Sequence, residues 1–408
     1  MTNSETCFGI DIDKYKIISF DIFDTLITRS VAHPFGVFYL LQRKLMQNQK
    51  LKRDFTNKFV HIRIDAERKA QRRFKKEQAD FEQIYQVICD DNGYSQSDRA
   101  YLMDLEFQTE LSVIRPIQEM VHFLDEVRKK NIKVIFLTDT YLNRQYIEKI
   151  LNHVNLYHSG ETIYSSSDMN MTKATGRLFR HVLKMEKCDH HGIIHIGNNY
   201  RIDILPAQKN GFDSYYYNVT DINRYESALA YGTSTNITSS FFQSIAGASR
   251  MARLQMPYHN NIEEKTYSYL GANVAGPILY AYVAWILTKA KEKKLKRLYF
   301  IARDGEILLE IARRIYGYFY SEVELRYIYG SRQSWHLPSV TSIGECELDW
   351  LFDLQPFLTL QAFAKRLNID AEIVHLLFDK YSGLTVDLDQ PLSENALAVL
   401  REITLSSE

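Results

Sequence analysis

The chain has 408 residues, of which 45% are hydrophobic and 13% aromatic, so it can bury a large core and divide into several domains. Fifty basic and fifty acidic residues cancel, which excludes a global electrostatic attraction to nucleic acid or to a membrane. The four cysteines form no CxxC pair and no signal peptide precedes them. We therefore expect a cytoplasmic protein without structural zinc and without a nucleic-acid partner.

The first predicted element is a buried strand. Its apolar run "KIISF" (16–20) leads directly into Asp21, and Asp24 follows three residues later. A carboxylate at the end of a buried strand has few structural roles, so Asp21 is predicted to be a nucleophile or a ligand. Asp24 precedes Thr25, and it is either a cap of the following turn or a catalytic group.

A long helical insertion is predicted between this strand and the next. The interval is rich in Lys, Arg, Glu, Gln and Leu at helical periodicity, as in "RIDAERKAQRRFKKEQADFEQIYQVICDD" (63–91). Its basic run "RKAQRRFKK" (68–76) has two interpretations. It is either a solvated helix face with acidic neighbours or a patch for a phosphorylated or polyanionic partner.

Four later runs are candidate strands of the same sheet. Helix-like stretches lie between them, a pattern typical of βαβ units. We therefore predict an α/β fold with a parallel sheet. The runs are "KVIFL" (133–137), "ETIYS" (161–165), "GIIHI" (192–196) and "DSYYYN" (213–218).

The polar stretch 221–240 is predicted to be a linker, with the boundary near 235. The region 241–408 is predicted to be a second α/β or mostly helical domain, with two strand-then-polar-turn units in "KRLYFIARDGEILLEIARR" and "ELRYIYGSRQSWHLPS". The apolar run 271–290 contains small residues and ends in a Lys-rich tract. It is predicted to be a core helix and not a transmembrane segment.

Reactive side chains follow four of the predicted strands. Because the carboxyl ends of parallel strands meet at one edge of a sheet, these side chains should converge. The types match displacement at phosphate: a carboxylate attacks, a hydroxyl and an ammonium hold the phosphoryl oxygens, and oxygen ligands hold a divalent ion. The residues are Asp21, Thr138, Asp139, Lys173, Asn198 and Asp203.

Residues 14–220 resemble the haloacid dehalogenase (HAD) superfamily, whose members are mostly aspartate-nucleophile phosphatases. Four motifs carry this resemblance in the expected order: "SFDIFDTL", "FLTDTYL", "TKATGRLF" and "HIGNNYRIDILPAQKNG". The resemblance implies a Rossmann-like parallel sheet with a helical cap, residues 31–115, inserted after the first strand. The cap would close over the substrate and exclude water.

The resemblance also implies roles for individual residues. The catalytic group would comprise Asp21 as nucleophile with Asp24, Thr138 and Lys173, and Thr138 and Asp139 would contact the substrate. A magnesium ion would be held by Asp21, the backbone carbonyl of Phe23, Asn198 and Asp203.

Two positions depart from the phosphatase pattern. Phe23 stands where phosphatases carry a second aspartate as general acid and base, with Asp24 one residue later. Asn198 stands where they carry a metal-binding carboxylate, so magnesium should bind more weakly unless Asp203 compensates. These departures leave two alternatives open: a metal-independent haloacid-dehalogenase-like hydrolase, or a binding or scaffold protein with a weakened site.

The second half adds "YFIARDGEIL", with Arg303, Asp304 and Glu306, and "YIYGSRQSWHLP", with Arg332. Acids beside basic groups at strand ends can bind a metal-diphosphate donor, although a Gly-containing turn explains "RDG" equally well. With the N-terminal motifs, these segments resemble dual-domain proteins of bacterial surface-polysaccharide synthesis. Those proteins join a HAD-like phosphoribosyl-phosphatase to a glycan phosphoribosyltransferase that uses phosphoribosyl diphosphate. We therefore expect a phosphatase for a sugar phosphate or phosphorylated glycan. The stretch after 340 is brief for a complete transferase domain, so the sequence leaves the activity of the second domain open, with transferase activity as one alternative.

Overall fold

The structure is a computed structural model, and it describes residues 7–48, 50–188, 191–231, 236–256, 261–341, 344, 349–352 and 357–406. The side chains of residues 7, 236–238 and 332–333 lie outside this description. The chain forms two compact units, Met1–Ile278 and Leu279–Glu408. Each unit is described by itself.

The first unit is built on a five-stranded parallel sheet in the order β5-β4-β1-β6-β7. Strand β1 lies in the centre, and its last residue, Phe20, pairs with Phe136 on one side and Ile196 on the other. The predicted α/β fold with a parallel sheet is therefore confirmed. The strands are β1 (Ile17–Phe20), β4 (Lys133–Thr138), β5 (Thr162–Ser165), β6 (Ile193–Gly197) and β7 (Asp213–Tyr216).

The central strands are buried on both faces, which explains their continuous apolar runs. Every residue of β1 and of β6 is buried, and the β-branched Ile17, Ile18, Ile193 and Ile194 suit such positions. Helices cover the two faces of this sheet. They are α5 (Gln118–Lys129), α6 (Arg144–His153), α7 (Ser166–Met169), α8 (Arg177–Glu186) and α9 (Leu205–Lys209).

Four helices form the insertion predicted after the first strand. They lie between the short antiparallel strands β2 (Ile27–Arg29) and β3 (Ile114–Pro116), which close the base of the insertion. Asp80 and Ser95 form capping boxes at the starts of two of these helices, as their polar side chains favour. The helices are α1 (Gly36–Asn48), α2 (Arg53–Phe74), α3 (Phe81–Asn92) and α4 (Gln96–Val113).

The basic run 68–76 lies on the solvated side of α2. The Lys69 ammonium is 2.6 Å from Asp91, and the Arg73 guanidinium is 2.8 Å from Asp90. Both pairs are exposed. Of the two interpretations, the structure favours a solvated helix face with acidic neighbours.

The first unit extends beyond the sheet through three helices, α10 (Arg224–Ala230), α11 (Asn236–Leu254) and α12 (Ile262–Leu270). The predicted linker, 221–240, thus contains α10, and the compact unit ends at Ile278 instead of near 235. The reason is a set of buried polar contacts. The Arg253 guanidinium donates to both carboxylate oxygens of Glu226, at 2.8 and 3.1 Å, and the Asn273 amide donates to the same side chain at 3.0 Å.

The second unit contains the two predicted strand-then-turn segments. Strands β8 (Arg297–Ile301) and β9 (Glu324–Ile328) pair in parallel, and helix α14 (Gly305–Phe319) connects them. A separate apolar cluster lies among the later helices and includes Leu360 and Phe378. The remaining helices are α13 (Gly276–Glu292), α15 (Arg332–Ser339), α16 (Leu360–Leu367), α17 (Ala371–Ser382) and α18 (Glu394–Leu405).

One helical stretch, Ile262–Glu292, is long and apolar enough to cross a membrane, judged by length and composition alone. Its most apolar window has a mean hydropathy of 1.5, and only 17% of that window is buried. The prediction of a core helix over 271–290 is therefore wrong for most of its length. Val283 and Leu287 are buried on one face, whereas Tyr282 and Trp285 are exposed on another.

Candidate active site

The carboxyl ends of the central strands open into one cavity of about 340 Å³. Asp21 follows β1, Thr138 ends β4 and Asn198 follows β6, so strand ends far apart in sequence meet as predicted. The other predicted hydrolase residues line the same cavity: Phe23, Asp24, Asp139, Lys173 and Asp203.

A tight turn positions the residues after Asp21. The Asp21 amide donates to the Ile196 carbonyl of the neighbouring strand at 2.8 Å. The Ile22 carbonyl then accepts from the amides of Leu26 and Ile27, each at 3.0 Å, which folds the chain back. Asp24 takes a left-handed conformation with φ 58°, which Asp tolerates better than most residues.

Lys173 joins two carboxylates inside the site. Its ammonium lies 2.5 Å from Asp21 Oδ1 and 2.5 Å from Asp203 Oδ1, and only 2% of the residue is exposed. Thr25 Oγ1 donates to the other Asp21 oxygen at 3.2 Å. A buried ammonium between two buried carboxylates reduces the cost of removing each charge from water.

Asp139 holds the segment that carries this lysine. Both of its carboxylate oxygens accept from the Lys173 backbone amide at 2.9 Å, and one also accepts from the Ala174 amide at 3.4 Å. Burial raises the pKa of Asp139, although Lys173 and these amides act in the opposite direction. Asp139 thus positions Lys173 while lining the cavity.

Asp203 reaches Lys173 because of two local features. A Cβ on Gly197 would lie 2.5 Å from Asp203 Cγ, so only glycine permits this approach. The Asn199 amide donates to Asp203 Oδ2 at 2.8 Å, and the Asn199 side chain caps the following turn by accepting from Arg201 and Ile202. The motif "GNNYRID" therefore serves to present one carboxylate.

The three charged groups shift one another's pKa values. Burial is the main influence on Asp21 and raises its pKa to about 7, with repulsion from Asp203 adding to the rise and Lys173 opposing it. Burial also acts to raise the pKa of Asp203, but Lys173 and His195 outweigh it and lower that pKa. The carboxylates near Lys173 raise the pKa of this lysine despite its burial. The ammonium therefore stays charged while Asp21 titrates near neutral pH.

His195 lies within β6 and is fully buried, as expected for a core histidine. Its Nδ1 lies 2.8 Å from Ser19 Oγ, and its Nε2 lies 3.6 Å from Asp203 Oδ1. Burial lowers the pKa of His195. Nε2 is buried and makes no hydrogen bond with the described residues, so the ring packs beside Asp203 without bonding to it.

Asp24 combines the two interpretations left open by the sequence. Its carboxylate accepts from Thr28 Oγ1 at 2.6 Å, which stabilises the turn, and it also lines the cavity. The guanidinium of Arg250, on α11, lies 3.7 Å from the same carboxylate.

The donor set fits a weakly held magnesium ion. Asp21, Asp203 and Asn198 offer oxygen ligands. The carboxylates of Asp21, Asp139 and Asp203 outnumber the ammonium of Lys173 that lies among them, so negative charge remains for a cation. Within the described ranges, no group of three or more His, Cys, Asp or Glu side chains converges to hold a metal. Mg²⁺ commonly uses only one or two carboxylates and completes its shell with water and substrate oxygens, so this set suffices.

The second unit holds the remaining predicted residues. Asp304 and Glu306 follow β8, and both are exposed. The Arg332 side chain lies outside the described residues, although the backbone of Arg332 begins α15. Because β8 and β9 are parallel and Ile301 pairs with Ile328, the two polar turns leave the same end of this small sheet.

Eight residues line the cavity that the sequence did not single out: Arg29, Pro34, Glu67, Gln78, Thr140, Tyr141, Asn199 and Ile202. Arg29 is the most informative of them, since it ends β2 and is only 8% exposed. A basic residue at the end of the run "TLITR" was the available signal. Glu67 and Gln78 belong to the helical insertion, whose side chains reach the site only through tertiary packing.

Residues 15–211 match the family model described as haloacid dehalogenase-like hydrolase. The match covers four of the five strands of the parallel sheet, the helical insertion and the residues that line the cavity, and it ends just before β7. This part of the chain is therefore similar to HAD-like hydrolases. No curated protein matches the chain.

Several solved structures are similar to the chain. The HAD-hydrolase YfnB from Bacillus subtilis, bound to magnesium, is 18% identical, with 50% of this chain and 89% of that chain covered and a TM-score of 0.36. The 2-haloacid dehalogenase from Pseudomonas syringae pv. tomato DC3000 is 17% identical, with 57% and 98% covered and a TM-score of 0.36. A HAD phosphatase from Thermococcus onnurineus is 13% identical, with 54% and 88% covered and a TM-score of 0.36. No activity is carried from these structures to this chain.

Proposed function

We propose that the first unit is a phosphatase that hydrolyses a phosphomonoester through an aspartyl-phosphate at Asp21. The observation that carries this proposal is the buried Lys173 ammonium, 2.5 Å from both Asp21 and Asp203 at the end of the central strands. A cation beside a buried carboxylate nucleophile lies where the oxygens of an attacked phosphoryl group need compensation.

The reaction has two steps. The ionised Asp21 oxygen attacks phosphorus, the bond to the ester oxygen breaks, and the departing alcohol takes up a proton. Water then attacks phosphorus, gives up a proton, and releases inorganic phosphate with Asp21 restored. Lys173 and the Thr138 hydroxyl hold phosphoryl oxygens, and Asp24 is the carboxylate assigned to proton transfer.

Magnesium held by Asp21, Asp203, Asn198 and the Phe23 carbonyl would neutralise charge on the phosphoryl oxygens when bound. The protein itself contributes in two ways: it places these oxygens around Lys173, and its helical insertion excludes water. The polar lining, with Glu67, Gln78 and Asn199, suits the hydroxyl groups of a sugar phosphate or a phosphorylated glycan. We assign the activity to surface-polysaccharide synthesis and to the cytoplasm, where the thiols of Cys89 and Cys188 stay reduced.

The test is phosphate release from a panel of phosphomonoesters with and without magnesium. Asp21→Asn should lower kcat about 10³-fold or more, because the substitution is nearly isosteric and removes the attacking charge. Asp11→Asn is the matched control, since Asp11 is exposed and distant from the cavity lining. Equal turnover by Asp21→Asn and the unaltered protein would rule out the covalent mechanism.

One observation favours a second candidate, the metal-independent dehalogenase-like hydrolase. Phe23 occupies the position of the phosphatase acid, and the Arg29 guanidinium lies 4.3 Å from the centroid of its ring. This reaction would release halide from a 2-haloacid in the presence of a chelator. Halide release with no phosphate release from any ester would select this candidate. Tight binding of the esters with neither product would select a scaffold role.

For the second unit, we propose binding of phosphoribosyl diphosphate with magnesium at the two polar turns. The support is the parallel pairing of β8 and β9, which directs Asp304 and Arg332 from the same end of the sheet. Carboxylates suit the metal, and a guanidinium suits the diphosphate oxygens.

A further inference from the structure

Arg29 is a buried guanidinium in the wall of the hydrolase cavity. It ends strand β2, which pairs with Ile114 of β3, so its backbone is fixed at the base of the helical insertion. The Arg250 guanidinium also donates to the Arg29 carbonyl at 2.9 Å. Arg29 therefore faces the cavity from a rigid support, as a binding group requires.

One side of this guanidinium is already engaged. Nε donates to Glu110 Oε1 at 2.6 Å, and the group lies over the Phe23 ring. Within the described part of the chain, the Arg29 side chain makes no other hydrogen bond. Its two terminal amino groups therefore carry N–H donors that are not used within the described part of the protein. The side chain is 10% exposed, and it lines the cavity.

Arg63 shows what a saturated guanidinium looks like in the same insertion. Its Nε and Nη2 donate to the two oxygens of Glu106 at 2.8 and 2.9 Å, and Nη1 lies 3.4 Å from Glu67. All three nitrogens of Arg63 have carboxylate partners. The terminal amino groups of Arg29 have no such partner in the described residues, so they can donate to an oxyanion from outside the chain.

Arg29 and Lys173 serve different parts of the cavity. The Lys173 ammonium contacts the carboxylates of Asp21 and Asp203. The Arg29 guanidinium instead contacts Glu110 and the ring of Phe23. The reacting group belongs beside Lys173, which leaves Arg29 for a second group on the same substrate.

We propose that Arg29 binds a second, non-reacting oxyanion of the substrate, a carboxylate or a further phosphate. The substrates are then phosphomonoesters that also carry an acidic group. This inference rests on the proposed phosphatase function. It identifies Arg29 as a specificity-determining residue through bidentate contact of its free edge with the anion.

The experiment compares substrates that differ only in this group. The pairs are glucuronic acid 1-phosphate with glucose 1-phosphate, and 3-phosphoglycerate with glycerol 3-phosphate. The unaltered protein should prefer the acidic member of at least one pair. Arg29→Lys should lower the ratio of kcat/KM values, acidic over neutral, roughly 10-fold or more, because it keeps the charge and loses the planar pair of donors.

Arg29→Met leaves Glu110 buried without its partner, so it is combined with Glu110→Gln. This double variant should lose the preference for the acidic member of each pair. Arg68→Met, at a side chain that is 71% exposed on α2, is the control and should change neither value. An equal loss of kcat/KM for the acidic and the neutral member of each pair would assign Arg29 a structural role and overturn the proposal. An unchanged ratio of kcat/KM in the Arg29 variants would also overturn it.

Binding measurements separate this proposal from the proposed function. The same pairs are titrated by calorimetry into Asp21→Asn protein, which cannot turn the esters over. Tighter binding of the acidic members that disappears with Arg29→Lys supports the site even where no phosphatase activity is found. Equal affinity for both members, with phosphatase activity present, overturns the inference and leaves the phosphatase intact.

Discussion

Lys173, Asp21 and Asp203 form a compact charged group whose stability depends on their contacts with one another. Burial of each charge alone would be strongly unfavourable, and the two contacts at 2.5 Å offset that cost. The offset is incomplete for Asp21, because its pKa stays raised to about 7. Asp21, the proposed nucleophile, is therefore destabilised in its ionised form, as is common for groups in active sites.

This leads to a prediction about stability and pH in the metal-free protein. Because the pKa of Asp21 is higher in the folded than in the unfolded chain, the folded state binds more protons, and Asp21 contributes stability that is lost as pH rises through about 7. In Asp21→Asn the side-chain amide does not titrate, so this variant does not lose stability in the same way as pH rises. Between pH 5 and pH 8, the variant should gain roughly 1–3 kcal/mol over the unaltered protein.

The measurement is chemical denaturation of both proteins in chelator at the two pH values. The pKa of Asp203 is lowered and that of Lys173 is raised, so neither should titrate in this window. Asp11→Asn, at an exposed carboxyl, should follow the unaltered protein. Parallel stability curves for Asp21→Asn and the unaltered protein would contradict the raised pKa.

At the scale of elements, helix α11 supports the candidate active site although it lies outside the matched residues 15–211. Arg250 on this helix donates to the carbonyls of Arg29 and Val31, each at 2.9 Å. Gly247 packs against the Ser30 backbone, where a Cβ would overlap the chain. α11 therefore fixes the strand end that carries Arg29.

Gly247→Ala tests this packing. The added methyl group should displace the end of β2 and lower the free energy of unfolding by roughly 1–3 kcal/mol, with a loss of hydrolase activity. Gly271→Ala is the matched control, because no atom lies within 4 Å of a Cβ there and the conformation is helical. The control should be within about 0.5 kcal/mol of the unaltered protein. Similar thermal unfolding of both variants would show that α11 does not press on β2.

At the scale of the whole molecule, the chain has two compact units with separate apolar clusters. If the second unit binds phosphoribosyl diphosphate, the full chain should bind it with magnesium in calorimetry at fixed ionic strength. Asp304→Asn should weaken binding roughly 10-fold, since Asp304 is exposed and its loss removes a metal ligand. Asp21→Asn should leave this binding unchanged.

Asp349→Asn is the control for that measurement, because Asp349 is also an exposed carboxyl of the second unit. Constant ionic strength is needed, since added salt weakens the binding of charged ligands and would resemble a mutational loss. Binding that is indifferent to Asp304, or no heat from the folded full chain, would leave "RDG" as a structural turn. The structure already requires glycine in this turn, because a Cβ at Gly305 would lie 2.7 Å from the Phe300 carbonyl carbon.

The sequence by itself determined the five parallel strands, the helical insertion and the strand-end positions of Asp21, Thr138 and Asn198. Each of these follows from local patterns, because buried strands need continuous apolar runs and helices need a repeat of 3.6 residues. The first unit's end at Ile278 was not predicted, since the polar stretch 221–240 resembles a linker until the buried contacts of the following helices are known.

The sequence predicted that these charged groups converge, but only the tertiary structure decided which direct contacts they make. Lys173 lies 152 residues from Asp21 in sequence, and nothing local indicates that one ammonium contacts both Asp21 and Asp203. From the sequence, Arg29 is recognisable only as the last residue of a strand. Its proposed role in anion binding depends on its pairing with Glu110, 81 residues away. Such contacts arise from packing of the insertion and sheet, because the energy of a buried charge depends on every group around it and not on its neighbours in the chain.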